Sequence, residues 1–353
     1  MIQLTTIADH LSSLVTEHEG SLQIPITSVS SPEEARAGSI IFVSQPHLLE
    51  KALKSPATAL VLNLSMKARV SELRELVGGR PILYSPEAER AMREVIFHFF
   101  LKTPHLNTDF DATDSLIHPT ALIHPSAKLG ENVRIGPYSI ISRGVTIGAG
   151  ATIAAHVNIE HSTSIGERTV IHPFVYIGHS CVVGNDCEIN PNSTIGKEGF
   201  GYAHDLKFNH YRIPHQGRVI IEDRAHLGAS NTIDRGTFGD TRIGQGAVLD
   251  NQVHIAHNSI VGANSIITAG FRLAGSTKIG KNFVAGGNSV VTGHIEVCDN
   301  VQLSAVSAVS KAITKPGKYG GNPLLPLQDH IRMKVAMTKL PALLKALKIK
   351  DED

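Results

Sequence analysis

The sequence predicts a mainly β protein built on a parallel β-helix of hexapeptide repeats, with a small α/β domain before it and helices after it. Three observations carry that expectation. From Ile117 every sixth residue is apolar, through Ile123, Leu129 and Ile135 to Ile189 and Ile195, fourteen positions without a failure. Four places after each mostly stands a small or β-branched residue such as Ala127, Val133, Ser139 or Cys181, and glycine is frequent directly after the apolar position. The composition agrees, with 31 Gly and 17 Pro beside 5% aromatics and no Trp in 353 residues, while 42% apolar content suffices for a real core.

Residues 1–105 read as the α/β domain. Runs of β type at 39–43, 59–62 and 81–84 alternate with helical stretches at 50–53, 70–77 and 87–100. Residues 106–313 read as the β-helix, three short strands and three corners making one triangular coil of about eighteen residues. Each Ile points inward and contributes ~1.5–3 kcal/mol, coil by coil. Gly or Asn at the turns is expected to supply φ > 0. The lattice breaks after Ile195, where 197–217 form an excursion, and resumes at Ile221, Leu227 and Ile233. It shifts by four residues around Thr237-Phe238-Gly239-Asp240, then runs from Ile243 to Val309, for 29 strand positions in all. Long loops on a rigid rod are usually functional. In the final section, 314–353, apolar residues at helical spacing (Met333, Met337, Leu340, Leu344, Leu347) are interrupted by Pro341, so two short amphipathic helices are expected.

Charge is unevenly spread. The total is +1, but from Lys311 to Lys350 nine basic residues stand against one acidic, a local +8. An acidic partner docking there is one reading, and a solvated lysine-rich helix face is the plain alternative. Cys181, Cys187 and Cys298 form neither a disulfide framework nor a C-x-x-C metal site and read as small buried residues. The N-terminus lacks a basic region followed by an apolar run and no apolar stretch is long enough to span a membrane, so a cytoplasmic protein is expected. No nucleic-acid partner is expected.

A rod has no deep pocket, so its chemistry belongs in grooves, and association of prisms about a threefold axis would create them. The candidate constellation is Asp250-Asn251-Gln252-Val253-His254-Ile255-Ala256-His257-Asn258. With Ile255 inward, His257 falls near a corner, and Gly275, one coil later, should stack beside it. His294 follows on the same edge. The set suits acyl transfer: His257 as general base, Asp250 to orient or stabilise its imidazole, and the Gly275 N–H to receive an oxyanion. No nucleophilic Ser or Cys is required. For any single histidine, a hydrogen-bonded turn residue is the bland alternative, and His118, His124 and His172, each followed by Pro, read that way.

These residues resemble the UDP-3-O-acylglucosamine N-acyltransferase family of lipid A biosynthesis. The motifs that carry the resemblance are Glu198-Gly199-Phe200-Gly201-Tyr202, Gly217-Arg218-Val219, Thr232-Ile233-Asp234-Arg235-Gly236, Asp250-Asn251-Gln252, Ile255-Ala256-His257-Asn258, Ala274-Gly275-Ser276 and Gly293-His294. The resemblance implies a left-handed β-helix homotrimer that moves a 3-hydroxyacyl chain from acyl carrier protein to the 2-amine of UDP-3-O-acylglucosamine. It implies His257 as catalytic base, Asp250 as its acidic neighbour, Gly275 as oxyanion donor and His294 as a substrate contact. No cofactor is implied, since the acyl donor carries its own phosphopantetheine. The acidic carrier protein becomes the partner expected at Lys311, Lys315 and Lys318. The family's uracil-holding Phe, Asn and Tyr match Phe42, Gln45 and Leu48, so one aromatic face is kept, one is lost, and the amide sits on a longer arm.

Small residues over 304–309 suggest a groove for a long acyl chain with Ala308 leaving its end open; ordinary tight corners would use the same residues. Three other functions stay open from sequence: a different hexapeptide acyltransferase, a zinc enzyme using His254, His257 and His294, or a non-catalytic scaffold.

Overall fold

The computed structural model describes residues 1–101, 116–320 and 327–347. The chain forms two compact units, 1–107 and 108–353. The expected boundary between 105 and 106 lies outside the described residues.

The first unit is a five-stranded sheet in the order Glu17–Glu19, Ile82–Ser85, Ala59–Asn63, Ser39–Val43, Ser28–Val29. Its pairs are parallel except for the antiparallel edge Glu17–Glu19. Alternation along the strands feeds two cores. Ile41, Val43, Leu60, Leu62 and Tyr84 pack with Leu49, Leu53 and Val70 on one side. Ile40, Ala59, Val61 and Leu83 pack with Leu4, Ile7, Ala91 and Val95 on the other. Helices Leu49–Lys54 and Lys67–Glu72 therefore cover one face, and Leu4–His10 and Ala88–Val95 the other.

The second unit is a left-handed parallel β-helix whose three faces hold ten, ten and nine strands among the described residues. Each inward side chain pairs with the one eighteen residues on, as Ile141 with Ile159 and Ile159 with Ile177. The four-residue shift appears as the pairing of Ile233 with Ile255, and the excursion as that of Ile195 with Ile233. Within the excursion, Tyr202–His204 and His210–Arg212 form an antiparallel hairpin. Ile117 reaches the lattice only as an isolated bridge to Ile135, and an unforeseen strand, Gly317–Tyr319, ends one face.

Asn and Gly hold the corners as expected at Asn132, Asn192 and Gly144, with φ of 54°, 61° and 66°, but other residue types hold them elsewhere. The corner residue three places after an inward side chain is left-handed, and Tyr138, His156, Arg168 and Phe174 adopt it at φ of 58°, 58°, 55° and 62°. A non-glycine residue there costs about 1–2 kcal/mol, which the paired coils above and below offset. The glycine directly after the inward residue serves close approach instead. A Cβ on Gly166 would lie 2.4 Å from the backbone of Gly184, and one on Gly262 2.3 Å from that of Gly280.

The C-terminal expectation is corrected as well. A single helix, Leu327–Ala346, runs through Pro341. Proline removes one backbone donor at a cost of about 3 kcal/mol, yet Ala, Leu, Met and Lys on both sides are strong helix formers, and the ladder continues beyond it with Leu347 N–H donating to Leu343 O at 2.9 Å.

Candidate active site

The register of the coils builds the site. Ile255 points inward, fully buried, so His257 emerges two residues later at the corner after that face. Ser276 N–H donates to His257 O at 2.9 Å and His294 N–H to Gly275 O at 3.1 Å, which stacks Gly275 on His257 and puts His294 one coil further and one residue along, in register with Asn258 and Ser276. Gly275 is pressed against the imidazole: a Cβ there would lie 2.7 Å from His257 Nε2. The Gly275 N–H donates to no group among the described residues.

Hydrogen bonds fix the tautomer of His257. Thr237 N–H, supplied by the four-residue insertion, donates to Asn258 Oδ1 at 2.9 Å and so orients that amide. The same oxygen lies 3.1 Å from His257 Nδ1 and can only accept, so Nδ1 carries the proton. In the neutral ring the lone pair then lies on Nε2, which faces Gly275, the arrangement a general base requires.

Asp250 stands elsewhere. It follows Leu249 on a different face of the prism, and its Oδ2 accepts from Ala269 N–H at 3.1 Å. No hydrogen bond or ion pair joins Asp250 to His257 within the chain. The orienting oxygen here is that of Asn258, which sequence spacing alone did not single out. His254 is also engaged otherwise, its Nδ1 2.8 Å from Thr232 Oγ1 and its Nε2 3.9 Å from Asp234 Oδ2. Among the described residues no three His, Cys, Asp or Glu side chains are grouped to hold a metal.

Two further residues have no role assigned from sequence, although Arg235 stands in the motif at 232–236. His215, from the end of the excursion, is buried with its ring 5.3 Å from that of His257 and inclined by 74°. Arg235 is also buried. It donates from Nε to Gly196 O at 2.7 Å and from a terminal nitrogen to His179 O at 2.9 Å. Burial, and secondarily this cation, push the His179 imidazole below its ordinary pKa. Nearby, burial and then Glu160 push Tyr176 up to about 12. The neighbouring Asp234 is held by Lys197 Nζ at 2.7 Å. The motif at 232–236 thus braces the coils below His257.

His294 is exposed and lines a groove of about 840 Å³ with Ile260, Lys278 and Cys298. A second groove of about 410 Å³ lies along Val306, Ser307, Ala308 and Tyr319. Lys311, Lys315 and Lys318 are all exposed; Lys311 follows the Ala308–Val309 strand, and Lys318 lies in the strand paired with Val301–Leu303. In the first unit Phe42 is half-buried on the strand Ser39–Val43 and Gln45 is exposed just before the turn Pro46–Leu48. Leu48 packs with the Ile41 cluster and Phe42 with the Ile40 cluster, so the two face opposite sides of the sheet.

A left-handed β-helix of hexapeptide repeats with a histidine at a coil corner, its base nitrogen against a glycine, defines the class. Comparison with known proteins narrows it. Residues 113–198 match a family model described as the GMPPB C-terminal domain. The chain is 43% identical, over 42% of its length and 45% of the relative's, to a UDP-3-O-acylglucosamine N-acyltransferase of Helicobacter hepaticus. It is 39% identical, over 45% of each chain, to the protein of the same name from Methylococcus capsulatus. The chain therefore spans about half the length of the curated relatives it matches. Among solved structures, an Arabidopsis UDP-N-acetylglucosamine acyltransferase superimposes with a TM-score of 0.53 at 24% identity, over 67% of this chain and 85% of that one, a likeness of fold.

Proposed function

We propose that the protein is an N-acyltransferase of lipid A biosynthesis, moving a 3-hydroxyacyl chain from acyl carrier protein to the 2-amine of UDP-3-O-(3-hydroxyacyl)glucosamine. The observation that carries this reading is His257 Nε2 pressed against Gly275, whose N–H donates to no group among the described residues. Relatives named UDP-3-O-acylglucosamine N-acyltransferase support the choice of acceptor and of N-acyl transfer.

In this reading the amine nitrogen attacks the thioester carbonyl carbon while His257 Nε2 takes its proton, worth ~10²–10⁴-fold. The carbonyl oxygen becomes an oxyanion that accepts from Gly275 N–H, worth ~2.7–4 kcal/mol. As it collapses, the carbon–sulfur bond breaks, the amide remains, and the imidazolium returns its proton to the departing phosphopantetheine thiol. The phosphopantetheine travels on the donor, so the step calls for no further cofactor.

His294 and its groove would receive substrate, with Phe42 and Gln45 of the first unit holding the uridine nucleotide. Lys311, Lys315 and Lys318 would meet the acidic carrier protein. Outward apolar side chains on the face that leads to His257, including Leu122, Ile140 and Val290, are exposed in one chain, which supports a homotrimer whose copies cover them and wall the site. A cytoplasmic location fits these substrates; among the described residues no helix is long and apolar enough to cross a membrane.

The test is to incubate the purified protein and a His257→Ala variant with the UDP-3-O-acylglucosamine acceptor and a series of 3-hydroxyacyl carrier proteins, following amide formation by mass. Transfer that falls about 10²-fold or more in the variant supports the reading. A folded protein that transfers with no donor refutes it, and product on a hydroxyl acceptor alone would make it an O-acyltransferase.

A further inference from the structure

His215 enters the site from the excursion, which lacks the sixfold pattern. It lies between the hairpin strand His210–Arg212 and the rejoining strand Val219–Ile221, and it is 4% exposed. Its Nδ1 is 2.9 Å from Ile213 O. A carbonyl only accepts, so this nitrogen carries the proton and the ring is tied to its own loop. Its Nε2 is buried and has no hydrogen-bond partner among the described residues. A buried polar atom left unpaired is costly, and such a group calls for an explanation.

The seat of this ring is made of glycine. A Cβ on Gly201 would lie 2.7 Å from His215 Cε1. One on Gly199 would lie 3.0 Å from His215 Nε2 and 2.9 Å from His257 Cβ at once. In Glu198-Gly199-Phe200-Gly201-Tyr202, Gly201 therefore makes room for His215 and Gly199 for both histidines, whose rings meet edge to face at 5.3 Å and 74°. His257 is enclosed by Gly275 on its Nε2 side, by Asn258 at Nδ1, and by Gly199 and His215 at its stem and ring.

We propose that His215 is a positioning residue for His257, holding the base in the rotamer that keeps Nδ1–H on Asn258 and Nε2 toward Gly275; as a role in catalysis it rests on the acyl-transfer reading. The unpaired Nε2 is the consequence of using an imidazole as a wall: the ring is spent on packing against His257, and its Nδ1 hydrogen bond anchors the loop. The excursion thereby becomes part of the machinery, closing the side of His257 that the regular coils leave open.

The test compares His215→Ala with His215→Asn in the full chain labelled with ¹⁵N-histidine. The Asn amide nitrogen reaches the place of Nδ1 and keeps the tie to Ile213 O, while both variants lack the ring edge. Misplacement of a base costs about 10²-fold, so kcat should fall by that order in both variants with little change in KM for either substrate. Asn should retain the thermal midpoint of the parent. The ring nitrogen signals of His257, assigned by their loss in His257→Gln, should report one tautomer in the parent and an average of two in both variants. Unchanged His257 signals in the variants overturn the proposal, even where activity and thermal midpoint drop together, because that pattern marks a merely structural loop residue. If the parent protein transfers no acyl group, the acyl-transfer reading fails by itself, and the His257 signals still decide whether His215 positions that ring.

Discussion

His257 Nε2 lies 2.7 Å from the point where a Cβ on Gly275 would stand, and His257 Cε1 lies 2.8 Å from it. Two coils of a regular lattice thus bring a base nitrogen up against a residue without a side chain, and a Cβ there would force the imidazole to move.

Gly275→Ala tests that contact. The φ of Gly275 is not left-handed, so alanine meets no backbone penalty and the damage falls on the imidazole and the space in front of the amide. We expect kcat to fall about 10²-fold or more, the cost of displacing reacting groups by about an ångström, with circular dichroism unchanged. Activity within about twofold of the parent would show that His257 and Gly275 do not act together.

Asn258 and Asp250 separate two ways of orienting the base. Asn258 is left-handed at φ 59°, so Gly is the neutral replacement and removes only the amide. Asn258→Gly should lower kcat by about 10–10²-fold through loss of the tautomer, and Asn258→Asp, which keeps an acceptor for Thr237 N–H and His257 Nδ1–H, should recover most of it. Asp250→Asn keeps an oxygen for Ala269 N–H and should cost far less than His257→Ala. A loss in Asp250→Asn equal to that of His257→Ala would bring the carboxylate to the base, as a neighbouring copy of the chain could do.

The contrast between Asn258 and the rod shows what sequence could disclose. An inward Ile every sixth residue is a local and repeated requirement, so 123, 141, 159 and 177 can be read off a one-dimensional pattern, and so can the stacking of Gly275 beside His257. The partners of Asn258 and His215 come from the insertion at Thr237 and the excursion near Ile213, where no period says which atoms meet. Arg235 escaped for a related reason: it sits two residues after an inward Ile like its neighbours on that edge, but turns into the coil to bind Gly196 and His179. In the first unit, two-residue strands such as Ile2–Gln3 and Pro25–Ile26 owe their pairing to tertiary packing and carry no alternation to read.

The three thiols should divide by environment. Cys181 and Cys187 fill narrow corners of the prism, and burial pushes both thiols up, Cys187 to about 11. At pH 8 a thiol titrating near 11 is thiolate about one part in a thousand, and it is also shielded from reagents. Cys298 is partly exposed on the groove that holds His294. A thiol titration should count one fast group in the native protein and three in denaturant. Alkylation of that one group should slow acyl transfer by obstructing the groove. Three fast thiols in the native state would contradict the closed coil.

Ala308 supplies the last test, of acyl-chain length. It points outward from the strand Ala308–Val309, paired with Val290–Val291, and lies three coils beyond the strand that precedes His257. At about 4.8 Å per coil this is about 14 Å along the rod. The side chain is small and exposed, and it borders the groove of about 410 Å³ with Val306 and Tyr319. A chain that runs from the thioester at Gly275 toward the end of the rod would meet this position only if it is long. Ala308→Met fills the groove without touching the base or the core, so the thermal midpoint should hold. Because one methylene in an apolar site is worth about 1–3 kcal/mol, or about 10–200-fold, the variant should lose the longest 3-hydroxyacyl donors by that order while keeping the shortest. Equal use of all donors by Ala308→Met would place the acyl chain on another path.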